Sequence, residues 1–121
     1  MKQHEGTEWE DLRQKVRERD GHCRLITVLS AREFLILQKN ARAELTHCDP
    51  AHVFGKGAFP HMKYLVDNVI LLNRYSHTMM DSCCDPINGK MISRETRNLW
   101  WERMIGKEAY TNLLEESQRE L

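Results

Sequence analysis

Apolar residues recur at helical spacing in several stretches of the 121-residue chain and run together in two others. Trp9, Leu12 and Val16 stand three and four apart behind a Thr7-x-x-Glu10 capping box. They predict a helix over about 8–19, ended by Asp20-Gly21. Cys23 to Leu29 is short, apolar and β-branched, the composition of a strand. Ser30 and Glu33 form a second capping box before Phe34-Leu-Ile-Leu37, predicting a helix to about Asn40 that Ala41 to Leu45 can prolong. From 46 to 82 the rhythm changes. Thr46 to Phe54 alternates as a strand, Gly55-Lys-Gly57 and Pro60 make a loop, and Asn68 to Leu72 is a second strand. Asn73 to Ser82 reads as a helix starting near Asn73 or Ser76. Asp85-Pro-Ile-Asn-Gly89 is turn chemistry. Ser93 caps a helix through Lys107, with Leu99, Trp100 and Met104 inward and Gly106 breaking it. A last helix over about 107–119 carries Tyr110, Leu113 and Leu114. The pattern predicts one α+β domain across residues 1–121, without internal repeats. Its core of strand, loop, strand and helix spans about 46–82, flanked by N-terminal helices and a helical C-terminal extension over 93–120.

Composition narrows the classes. Hydrophobic residues are 40% and charged residues 30%, enough for one modest core and too much for a disordered chain. No apolar run approaches the ~20 residues that cross a bilayer. The start, MKQHEGTEWEDL, lacks the apolar stretch of a signal peptide, so a cytoplasmic protein without membrane contact is expected. Four Cys in such a chain read as thiols or metal ligands rather than disulfides. Cys23, Cys48, Cys83 and Cys84 show no CxxC spacing. Eighteen basic residues balance eighteen acidic ones, which argues against a uniformly basic protein coating phosphates but not against a local basic face.

The chemistry concentrates in the middle. Asp49 and His52 lie on the first strand, Asn68 opens the second, and His77 and Asp81 stand four apart on one helix face. An imidazole on the strand can activate a water, since histidine titrates nearest neutrality. Imidazole and carboxylate from the strand and helix can hold one divalent ion, which stabilises a charged transition state. An Asn side chain can fix the His ring and its tautomer. Lys56, Lys63 and Arg74 surround these residues against the two acids Asp49 and Asp67, a local field that suits phosphates. A further basic stretch runs from Lys90 to Lys107. His47 and His61 read as solvated loop residues, and Trp100 and Trp101 as core.

Cys48-Asp-Pro-Ala-His52-Val-Phe-Gly-Lys-Gly, then Asp67-Asn68-Val-Ile-Leu-Leu72, then Ser76-His77-Thr-Met-Met-Asp81 resembles the HNH endonucleases, the ββα-metal or His-Me finger group. The likeness covers about a third of the chain. The lead-in Trp9-Glu-Asp-Leu-Arg…Asp-Gly-His-Cys23 resembles the one common in this family, and the Trp100-Trp101…Leu114 tail is similar to tails on small phage members; phage recombination endonucleases carry a similar Asp-x-x-His followed by a Gly-rich loop with a Pro. The resemblance implies His52 as general base, Asn68 as the residue that orients it and His77 as metal ligand, with Asp81 at a second helical ligand position. Two departures stand out. Many members ligate the metal with the residue before the base, and here that is Ala51, which leaves Asp49 as the candidate. In a regular strand Asp49 and His52 face opposite sides, so a bulge or bend at Pro50 is expected if both serve one site. Many members also carry CxxC pairs for a structural zinc. Asn73 and Ser76 fall where one pair would be, so that zinc is not expected, and packing around the three Trp is expected to replace it.

The reading is therefore a metal-dependent DNA endonuclease with a His general base and one divalent ion, Mg²⁺ first and Mn²⁺, Ni²⁺ or Zn²⁺ as substitutes. DNA is the expected partner, with a homodimer or a phage recombination or packaging protein as further ones, in the cytoplasm of a bacterial host. The alternative is a non-catalytic, metal-stabilised module that binds nucleic acid or protein, marked by a closed ligand shell drawing on Cys48 or Cys83.

Overall fold

The structure, a computed structural model, describes residues 2–119, with side chains from residue 6 onward. Residue 120, the end of the expected C-terminal extension, lies outside the described residues. The fold is α+β: helices α1 (Lys2–Asp20), α2 (Ala31–Ala41), α3 (Arg74–Asp81), α4 (Arg94–Ile105) and α5 (Lys107–Ser117) surround strands β1 (Cys48–His52) and β2 (Val69–Asn73). The strands pair antiparallel, and α3 follows β2 without a linker. Among the described residues no helix is long and apolar enough to cross a membrane.

Several elements depart from expectation. Helix α1 starts at Lys2, so Thr7 lies inside it rather than capping it. Cys23–Leu29 is not a strand but a turn and a 3-10 turn at Ile26–Val28. Arg24 N donates to the Leu71 carbonyl of β2, but no ladder follows it, and Arg103 takes the Val28 carbonyl. The second capping box holds: Ser30 Oγ accepts from Glu33 N, and Glu33 accepts from Ser30 N. Helix α2 stops at Ala41 because Arg42 takes φ 51°, and Arg42–Thr46 coils into a 3-10 turn instead of prolonging the helix. Gly106 ends α4 at φ 95°, a backbone conformation that glycine adopts without steric cost. In the 85–89 turn, Gly89 has φ 74°, and a Cβ there would stand 2.8 Å from the Tyr75 hydroxyl.

The sheet packs on both faces, which explains the unbroken apolar run Val69–Leu72 in β2. Ala51, Ile70 and Leu72 point into the main core with Leu25, Leu37, Met80, Trp101 and Leu113. Val69 and Leu71 point the other way, against Leu12 and Val16 of α1. Each fully buried Leu, Ile or Met among them contributes about 1.5–3 kcal/mol. The three Trp do not form one cluster. Trp101 is core, Trp100 is half-buried under the Arg103 guanidinium, and Trp9 stacks on His52.

The expected bulge at Pro50 is absent. The register runs unbroken from Cys48↔Asn73 to His52↔Val69, with Pro50 opposite Leu71. Leu71 turns both its N–H and its C=O away from β1, toward Asp20 and Arg24. The Pro50–Leu71 pair is therefore a non-hydrogen-bonded one, and the missing N–H of Pro50 falls on the open edge of β1.

Candidate active site

A cleft of about 370 Å³ lies beside β1, lined by Trp9, Pro50, His52, Gly55, Lys56, His77 and Asp81. It sits over the open edge of the strand. His52 reaches it from the α1 face of the sheet, and His77 and Asp81 reach it from α3 on the other face. No bulge is needed to bring them together.

His52 is held on two sides. Its ring stacks on Trp9 with centroids 5.7 Å apart and planes 11° apart. Its Nε2 lies 2.9 Å from the Lys63 carbonyl oxygen. A carbonyl only accepts, so Nε2 carries the proton and the neutral ring keeps its lone pair on Nδ1. Burial pushes the His52 pKa below the ordinary value, and the charges of Lys56 and His77 push the same way. The Lys63 carbonyl and Asp81 oppose them. The ring is thus kept neutral at physiological pH, the protonation state a general base needs.

Asn68 does not touch that ring. It is fully buried, with Oδ1 accepting from Phe54 N at 2.8 Å and Nδ2 donating to the carbonyls of Phe54 (2.9 Å) and Met62 (3.2 Å). It ties together the two ends of the 54–62 loop. Met62 adjoins Lys63, whose carbonyl holds His52, so Asn68 bears on the His52 ring through the loop. Direct fixing of the ring by Asn68 is corrected accordingly: a strand-opening Asn points into the core, where unpaired backbone groups need it more.

His77 stands between two carboxylates. Its Nε2 is 3.4 Å from Asp81 Oδ2, and its Nδ1 is 3.9 Å from Asp49 Oδ2. Asp81 lines the cleft and is exposed. Asp49 does not line it. Arg74 grips both of its carboxylate oxygens at 3.2 Å, and that pair holds the Asp49 carboxyl below its usual range. A metal ion binding Asp49 would share or compete for oxygens that the Arg74 guanidinium already engages. The donor set that could hold an ion is His77 with Asp81, two ligands on one helix turn that would leave the remaining coordination positions open. Among the described residues no three His, Cys, Asp or Glu side chains form a ready ligand group. Cys48 is half-buried beside Cys23, burial and that neighbour raising its pKa, and Cys83 Sγ faces the Ile92 carbonyl.

The three basic residues differ. Lys56 lines the cleft and lies over Trp9, 5.8 Å from the ring centroid. Lys63 lies over Tyr64 and serves the site through its backbone. Arg74 is engaged by Asp49. His61 is not a solvated loop residue: its Nε2 lies 3.0 Å from the Glu116 carbonyl. Where the zinc-binding pair would fall, Asn73 caps α3 by accepting from Ser76 N, and Ser76 Oγ donates to the Pro86 carbonyl. Asn73 N also reaches Cys23 Sγ at 3.3 Å. A buried polar knot occupies that position.

Two contributors escaped the sequence. Trp9 carried a helix-periodicity signal and a place in the lead-in motif, neither of which pointed to His52, and the Lys63 carbonyl is a backbone group without any signal. No protein-family model, curated protein or solved structure matches the chain.

Proposed function

We propose that this chain is a small metal-dependent endonuclease of the HNH type, with its 48–81 segment serving as a ββα-metal core. The observation that carries the reading is the His52–Lys63 contact, which sets the tautomer with a free lone pair on a depressed-pKa imidazole, in a cleft shared with His77 and Asp81. His52 takes the proton of the attacking water at Nδ1. Trp9 and the Lys63 carbonyl hold the ring still while it does so. His77 and Asp81 would hold one divalent ion, Mg²⁺ first, with Mn²⁺, Ni²⁺ or Zn²⁺ also suited to a mixed imidazole–carboxylate set. Such an ion supplies charge stabilisation for the phosphorane-like transition state and the leaving 3′-oxygen. Asp49, across the ring on the Nδ1 side, orients His77, with Arg74 holding Asp49 in place. Lys56 offers its ammonium to a backbone phosphate.

The test is nicking of supercoiled plasmid with Mg²⁺ or Mn²⁺. His52→Ala is expected to lose at least about 10²-fold in rate, the usual worth of a general base, while keeping its fold and its affinity for DNA. Undiminished nicking by that variant overturns the assignment.

A further inference from the structure

A second cavity, of about 520 Å³, opens beside the first and shares His52, Gly55 and Asp81 with it. It lies between the 53–59 loop and the α4–α5 pair. Its walls carry four aromatic rings, Phe54, Phe59, Trp101 and Tyr110. Besides the shared His52 and Asp81, its polar groups are Arg94, Arg97 and Asn98, all from α4. Arg97 donates weakly to the Met80 carbonyl at 3.4 Å, and its Nε is buried without a hydrogen-bond partner.

We infer that this cavity receives an unpaired nucleobase next to the scissile phosphate, so that the substrate is nucleic acid with a single-stranded nucleotide at the cleavage point. The inference rests on the nuclease reading of the adjoining cleft, and three observations support it. The cavity has the volume of a small-ligand site. Aromatic walls with an Asn amide and guanidinium groups match the way unstacked bases are held, by apolar faces and edge hydrogen bonds. Asp81 is the only acid in its lining, against Arg94 and Arg97, so the entrance favours a polyanion. A base inside an intact duplex is stacked and cannot enter. One in a single strand, bubble or branch enters without that unstacking cost.

Two assays on the full chain separate this inference from the reading beneath it. Binding is measured by fluorescence anisotropy in EDTA, with one sequence presented as a perfect duplex and as a duplex with a short central bubble. Wild type is expected to bind the bubble on the order of tenfold tighter, the worth of one stacked and edge-bonded base. Asn98→Ala, a neutral change on a half-buried residue, should erase most of that preference. Arg94→Gln, at an exposed position, should weaken the bubble more than the duplex. Equal affinity of wild type for the two DNAs overturns the inference. So does a preference that survives both variants, or an equal loss on both DNAs, which marks Arg94 as a phosphate contact only. Cleavage is then measured with Mg²⁺ or Mn²⁺ on the same DNAs. Absence of cleavage removes the nuclease reading, while the bubble preference still decides the cavity.

Discussion

Asn68→Ala separates bracing of the loop from direct service to the base. The substitution removes three buried hydrogen bonds, to the Phe54 N–H and to the Phe54 and Met62 carbonyls, of which the Met62 carbonyl still accepts from Leu65 N. At about 1 kcal/mol for each, the fold loses about 3 kcal/mol. For a domain of this size that lowers the melting temperature by about 12 °C. Released, the loop no longer fixes the Lys63 carbonyl, and His52 samples other orientations. Cleavage should fall about 10- to 100-fold even well below the melting temperature, the usual cost of losing an orienting group. Asn68→Asp should be at least as damaging, because it keeps the acceptor for Phe54 N but turns a carboxylate toward two carbonyl oxygens. Differential scanning calorimetry and plasmid nicking on both variants check the pair. An Asn68→Ala protein with unchanged melting and abolished cleavage would refute the reasoning and place Asn68 in direct contact with the reacting groups.

Other outcomes follow from the same geometry. The cleavage rate should rise with pH through a value below the ordinary histidine pKa and be flat at neutrality, since burial holds His52 neutral; a pH–rate profile centred above 7 contradicts this. The same depression means the unfolded chain binds more protons, so the stability contributed by His52 is present above pH 6.5 and declines as the pH falls through its folded value, readable by denaturation across pH. Asp81→Asn should reduce divalent-dependent cleavage more than Asp49→Asn, because Asp81 lines the cleft while Asp49 is gripped by Arg74; the reverse order in a metal titration moves the ligand role to Asp49. Glu33, paired with Arg103 and capping α2, has its pKa lowered to about 2, so its contribution is present above about 4.5 and lost as the pH falls through about 2. Both side chains are partly exposed, and Arg103→Ala should cost only about 1 kcal/mol in urea denaturation.

The helices and strands that bury a clear periodic face were legible in the sequence. Trp9-Leu12-Val16 marked α1, Asn68 to Leu72 lay within one residue of β2, and Ser30 with its capping box and Ser93 with its side chain alone capped α2 and α4. Cys23–Leu29 misled because an apolar, β-branched heptapeptide needs a partner strand, and partner availability is not a local property. Pro50 misled for a related reason. Its tolerance depends on which edge of the pair lacks a neighbour, and only the register reveals that. At the site, the titratable residues announced themselves by type and spacing. The role of Asn68 and the grip of Arg74 on Asp49 depended on side-chain direction across long sequence separations, which spacing does not encode.

The segment after α1 has a bearing on assembly. Leu71 N is bonded to the Asp20 carboxylate and Leu71 O accepts from Arg24 N, so a piece of irregular chain stands where a third strand would pair. Asp20 itself is sunk almost wholly out of solvent and braced by Arg19 and Arg24. Burial alone would raise its pKa, but the hydrogen bonds from Arg19 and Leu71 outweigh it and keep the carboxyl ionised. That side of β2 is sealed by a charged plug, and an incoming strand would have to break a buried, charge-assisted contact to dock. The tiny sheet is thereby guarded against edge-to-edge stacking into fibres on this side, leaving the rim of β1, where Pro50 withholds a donor, as the only approach.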